Sequence, residues 1–137
     1  MDTPLKPEEA LIYAMVTVSA VDRTISDAEL TRIGSIVKEL PPFREFDSNW
    51  LLHASQECGQ ILGKEGGMRR VLDLITASLP ERLRETAYVL AAEVAASDRR
   101  IASEEIRFLD LLAEALSLDK LTCAALERAA TARHQTV

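Results

Sequence analysis

The sequence predicts an all-α protein, a single domain of about seven helices, and three observations predict it. Aromatic residues make up only 4% of the 137 residues, while Ala, Leu, Glu and Arg recur throughout, a composition that favours helix over strand. Helix-starting and helix-stopping residues alternate along the chain, and the apolar residues between them return with helical period. A chain of 137 residues also fits one compact domain able to bury about two thirds of its unfolded surface without disulfide or metal staples.

Pro7 followed by Glu8 and Glu9 suits a first helical turn, because proline is preset there and acids complement the positive end of the helix dipole. That helix is expected to reach about Val21, with Ile12, Met15, Val16 and Ser19 on one apolar stripe. Ser26-Asp27-Ala28-Glu29 has the form of a capping box and opens a second helix, whose core face carries Leu30, Ile33, Val37 and Leu40. Pro41-Pro42 stops it, since the residue before a proline is pushed out of the helical region. Asp47 or Ser48 caps a third helix through about Ile61, the glycines at 63, 66 and 67 mark a turn, and a fourth helix covers Met68 to Ser78. Pro80 with Glu81 starts a long helix to Ser97, Ser103 starts another to about Leu116, and Asp119 caps the last, which frays after Arg133. The alanines at 91, 92, 95 and 96 allow close approach of a neighbour, which places the helix from 81 to 97 centrally.

Charge narrows the function. Sixteen Lys and Arg stand against 22 Asp and Glu, a net charge of −6, the opposite of what a phosphate-binding surface carries, so no nucleic acid partner is expected. The N-terminus MDTPLKPEEA lacks a basic segment followed by an apolar run. The longest nearly apolar stretch, Leu11 to Val21, is broken by Thr17 and Ser19 and falls short of the roughly 20 residues of a membrane span. The expectation is a cytoplasmic protein with no transmembrane segment. Cys58 and Cys123 have no C-x-x-C spacing and read as reduced, packed thiols.

An internal duplication is the main signal. Shifted by 76 residues, AVDRTISDAEL from Ala20 faces ASDRRIASEEI from Ala96. Val18, Ala20, Asp22, Arg23, Ile25, Glu29 and Leu40 recur as Val94, Ala96, Asp98, Arg99, Ile101, Glu105 and Leu116. Apolar character persists where identity is lost: Leu30, Ile33, Ile36 and Val37 face Ile106, Leu109, Leu112 and Ala113. Two copies at so long an offset do not make a solenoid. They read as a duplicated helical hairpin, about residues 10–40 and 86–116, related by a pseudo-twofold axis.

The doubled unit of a small apolar helix, A-x-D, Ile, Glu and an amphipathic helix, in an acidic all-helical chain, resembles the tellurite-resistance TerB-like family. That grouping includes the N-terminal region of some membrane-anchored J-domain co-chaperones. The resemblance implies bacterial origin, a role in tellurite and metal-linked chemical stress, and protein partners in a membrane-associated complex. It further implies a divalent cation, Ca²⁺ or Mg²⁺, held by acidic residues of the repeated turns, here Asp22, Glu29, Asp98 and Glu105. The family often has glycine directly after the Asp, where this chain has Arg23 and Arg99, cations able to neutralise the carboxylates themselves.

Two readings of the turns stand side by side. An Asp in the last turn of a helix sits at the negative end of the dipole, unfavourable by roughly 0.3 to 1 kcal/mol, and a hard cation on oxygen ligands reverses that cost. Alternatively Asp22 and Asp98 accept backbone N–H bonds as Asx-turns do, and Glu29 closes the box with Ser26, although Ala102 cannot serve Glu105 in the same way. An EF-hand is excluded, since the twelfth position from either Asp is Ile33 or Leu109. His53 follows Trp50, Leu51 and Leu52 on a helix and His134 lies in the tail, neither in a zinc spacing. Arg82 and Arg84, mixed with Glu81 and Glu85, read as a solvated face. No phosphate loop or nucleophile elbow is present in the sequence, and no enzymatic activity is expected.

Overall fold

The computed structural model describes residues 5–20, 25–44, 49–97 and 103–137. Among them the helices are α1 (Pro7–Ala20), α2 (Asp27–Glu39), α3 (Asn49–Leu62), α4 (Gly67–Ser78), α5 (Arg84–Ala96), α6 (Ser103–Ala115) and α7 (Lys120–Arg133). Single 3-10 turns cover Pro41–Phe43 and Glu81–Leu83, and no strand occurs among the described residues. The fold is all-α, with seven α-helices among the described residues, as the helix signals predict.

α1 departs from the expected single stripe. Every residue from Ala10 to Ser19 is buried, so the helix is apolar all round and is wrapped by its neighbours. Its polar exceptions, Thr17 and Ser19, are small enough to be enclosed. α5 is the second central helix, buried at Ala87, Tyr88 and from Leu90 to Ala95, and its most extensive packing is against α1. The core is thus built on a pair, where alanine content alone singled out α5. α5 also starts later than its proline suggests. The chain first makes a 3-10 turn in which Leu83 N–H donates to Pro80 O at 2.9 Å.

The helix boundaries repeat. α1 ends at Ala20 and α5 at Ala96, while α2 spans Asp27–Glu39 and α6 spans Ser103–Ala115, each pair 76 residues apart. The correspondence extends to a third helix, because α3 and α7, both of 14 residues, pack on α1 and α5 respectively. α4 lies on α3, α1 and α6, whereas α7 packs chiefly on α5. The turn into α4 depends on two glycines. Gly66 has φ of 72°, in the left-handed region that favours glycine, and a Cβ on Gly67 would stand 2.0 Å from the carbonyl oxygen of Ile61.

Candidate functional site

α2 begins with the capping box read from its sequence. Ser26, extended at φ −85° and ψ 163°, accepts Glu29 N–H on Oγ at 3.2 Å, and Glu29 Oε1 accepts Ser26 N–H at 3.1 Å and Ser26 O–H at 2.9 Å. Glu29 is therefore engaged in ordering the first turn of α2, which satisfies N–H groups that have no helical partner. Glu105, third residue of α6, is only 8% exposed and sits where the positive end of that helix dipole favours a carboxylate. Asp22 and Asp98, the other two predicted ligands, lie outside the described residues, as do Arg23 and Arg99. Among the described residues no three His, Cys, Asp or Glu side chains are grouped so as to hold a metal ion.

One bond ties the two repeats together near these turns. Arg32 Nη1 on α2 donates to Ser97 Oγ at 2.9 Å, and Ser97, the C-cap of α5, donates in turn to Val94 O at 2.7 Å. Ser97 immediately precedes Asp98 in the chain. A guanidinium of α2 is thereby anchored at the C-cap of α5. Arg32 faces Phe108 at the 76-residue offset, so the repeat supplied no signal for this contact.

Sequence reasoning missed a second charged constellation. Glu93, in the C-terminal part of α5, is 7% exposed, and its Oε1 pairs with Arg133 Nε and lies 3.6 Å from His134 Nε2. His134, expected in a frayed tail, is instead held against α5 at the C-cap of α7. The available signal was Glu93 itself, the one charged residue in the run YVLAAEVAAS. Arg84 also departs from the solvated reading, since its Nε is buried without a hydrogen-bond partner among the described residues.

The thiols are packed as expected. Cys58 Sγ lies 3.4 Å from Thr17 Oγ1, and burial pushes its pKa up to about 11. Burial also raises that of Cys123, and neither is a ready nucleophile at neutral pH. Apolar surface is left on α3, where Trp50 and Leu52 are half exposed. Trp50 meets His53 edge-on at 5.1 Å, and His53 pairs with Glu57 one turn on. Beside Leu52 runs a groove of about 680 Å³ between α1, α2 and α3, with Val16, Leu30 and Gln56 among its lining. No described helix is long and apolar enough to cross a membrane.

The family model described as tellurite resistance protein TerB matches residues 8–133. The chain belongs to the TerB family. The match runs from the first turn of α1 to the last residue of α7, so the whole helical set described here is the TerB domain. No curated protein and no solved structure matched the chain.

Proposed function

We propose that this TerB domain is a protein-interaction module of the response to tellurite and related chemical stress. It performs no catalytic step, and its repeated acidic turns serve to shape the backbone. The observation that carries this reading is the reciprocal capping box, in which the Glu29 carboxylate closes on Ser26 N–H and Oγ. The Arg32 guanidinium anchored at Ser97 supports it, because a positive charge held at the C-terminal end of α5 opposes a cation bound close to it. The half-exposed Trp50 and Leu52 offer a partner apolar area to cover.

A second reading keeps a Ca²⁺ or Mg²⁺ on Asp22, Glu29, Asp98 and Glu105. What favours it is Glu105, a nearly enclosed carboxylate in the first turn of α6. Thermal unfolding in chelator and in millimolar Ca²⁺ or Mg²⁺ separates the two. A scaffold shifts by less than about a degree, whereas a site at 100 times its Kd gains about 2.7 kcal/mol, of order 10 °C for this size. The interaction arm places a photo-crosslinking residue at Leu52 and, as control, at Ala124 on α7, in cells challenged with tellurite. A discrete protein adduct from position 52 alone supports the module. A saturable cation shift with no adduct at position 52 overturns it.

A further inference from the structure

Each repeat carries a groove between its central helix and the two helices that follow it. The floors correspond at the 76-residue offset, since Val16, Ala20 and Leu30 of the first recur as Ala92, Ala96 and Ile106 of the second. The walls do not. On the first groove α3 sets Ser55, Gln56 and Gln60, and no described residue lining it is charged. The second, of about 200 Å³, has Asp110 of α6 and Glu127 of α7 on its walls, and no described residue lining it is basic. Asp110 stands where the first repeat has Gly34, so its charge departs from the shared pattern. Glu127 is held in place by the nearly fully buried Tyr88 of α5, whose hydroxyl donates to the carboxylate.

We propose that this second groove docks a basic amphipathic helix of a protein partner, with one lysine or arginine stem lying along the alanines and its charge meeting Asp110 and Glu127. The space is below the roughly 300 to 1,000 Å³ that encloses a drug-sized molecule, and it suits a single long side chain. Calcium takes about six to eight oxygens, and no third ligating group joins the two carboxylates among the described residues. Lysine and arginine cover apolar surface with their methylenes while the charged head stays in water, and here Ala92, Ala95 and Ala96 lie below and carboxylates above. The alanines let the backbone of a partner helix approach closely, and Ile106, half exposed on the rim, meets its apolar face. A net charge of −6 draws a basic partner and repels a second copy of this chain. The groove rests on the domain being an interaction module, but Leu52 does not line it, so the two surfaces are separable.

The probe is a fluorescein-labelled synthetic helix of about four turns, with leucine and alanine on one face and lysine on the other, and a version with glutamate for lysine is its control. Fluorescence anisotropy at low salt measures the Kd for the full chain, and only the lysine peptide is expected to bind. Asp110→Asn with Glu127→Gln, which keeps an acceptor for the Tyr88 hydroxyl, weakens binding about three- to tenfold, the range of two exposed ion pairs. Asp73→Asn with Glu114→Gln, which removes the same charge from a groove between α4 and α6, leaves it nearly unchanged. Thr131→Trp, at an exposed position of α7, fills the space and abolishes binding, whereas Gln60→Trp in the first groove does not. The proposal is overturned if the lysine peptide fails to bind, if both charge-neutral pairs weaken it equally, or if Gln60→Trp blocks it and Thr131→Trp does not. A dimer in sedimentation that Thr131→Trp dissociates also overturns it, because the occupant is then a second copy. A peptide bound here with no adduct from position 52 upholds the groove and removes only the α3 surface, and the converse removes only the groove.

Discussion

Ser26→Ala tests the structural role of the first acidic turn, and its cost follows from three distances. The substitution removes the Oγ that accepts Glu29 N–H at 3.2 Å and donates to Glu29 Oε1 at 2.9 Å, leaving the 3.1 Å bond from Ser26 N–H to the carboxylate. All three bonds are exposed, so water takes up part of the loss and the expected cost is that of an N-cap, about 1 kcal/mol. For a chain of this size that lowers the melting temperature by about 4 °C. Glu29→Gln keeps an acceptor for Ser26 N–H and loses only the charge near the helix N-terminus, about 0.3 to 1 kcal/mol. Because the box is reciprocal, Ser26→Ala with Glu29→Ala costs less than the two singles added, by about 0.5 kcal/mol. Urea unfolding followed by far-ultraviolet circular dichroism measures each value, in chelator and again with Ca²⁺ or Mg²⁺. Strict additivity, or a loss that appears only when the cation is present, would refute the structural account and move Glu29 into a ligand set.

Gly67→Ala puts a Cβ 2.0 Å from Ile61 O and 2.9 Å from Leu62 Cα, all backbone, so the ends of α3 and α4 must part at a cost of about 3 kcal/mol. Gly59→Ala, with nothing within 4 Å, is expected to stabilise α3 by up to about 1 kcal/mol, and denaturant midpoints for the pair should move in opposite directions. Ser19→Ala removes a buried hydroxyl with no hydrogen-bond partner among the described residues, at a position where the second repeat has Ala95. Stability should hold or rise by up to about 1 kcal/mol, and a fall larger than that in calorimetry contradicts the assignment. Cys58 holds its proton in the folded state, its pKa raised from 9.0 to about 11. Its contribution is intact below pH 9 and is lost as the pH rises toward 11, by about 2 to 3 kcal/mol in all. Cys58→Ala should flatten that part of the stability profile, and an unchanged slope in the variant counts against it.

The helices were legible because their ends carry local chemistry. Ser26 and Asp119 cap by short-range bonds that sequence spacing dictates, and Asp119 accepts Thr122 N–H at 2.7 Å as its position implies. Pro41-Pro42 and the glycines near 66 punctuate for equally local reasons. What escaped was set by packing across the chain. The burial of α1 on every side depends on what surrounds it, and periodicity finds a stripe only where one face meets water. The Arg32–Ser97 bond joins residues 65 apart and has no counterpart in the other repeat. The pairing of Glu93 with the end of α7 likewise spans 40 residues, and a lone Glu in an alanine-rich helix does not announce its partner. Of the four predicted ligands, Glu29 and Glu105 could be placed, one in a box and one enclosed at a helix N-terminus.

The two repeats share helix boundaries but differ where chemistry is concentrated. In the first, the central helix meets its third helix through Thr17 and Cys58, a neutral contact whose thiol stays protonated through the neutral range. In the second, Glu93, Arg133 and His134 occupy the comparable place, and no counterpart of α4 packs on α7 among the described residues. A doubly covered helix opens only with the core, whereas a helix packed chiefly on one neighbour has a smaller local opening free energy. Exposed large apolar residues stand on both repeats, Trp50 and Leu52 on α3 and Ile106 and Leu121 on α6 and α7. Arg32 reaches from α2 to the end of α5, alongside the wider α1–α5 packing that joins the same halves. Arg32→Gln removes the bond to Ser97 Oγ, and a loss of about 0.5 to 1.5 kcal/mol is expected in urea unfolding. Unchanged stability in Arg32→Gln would show that the α1–α5 packing alone holds the two halves together.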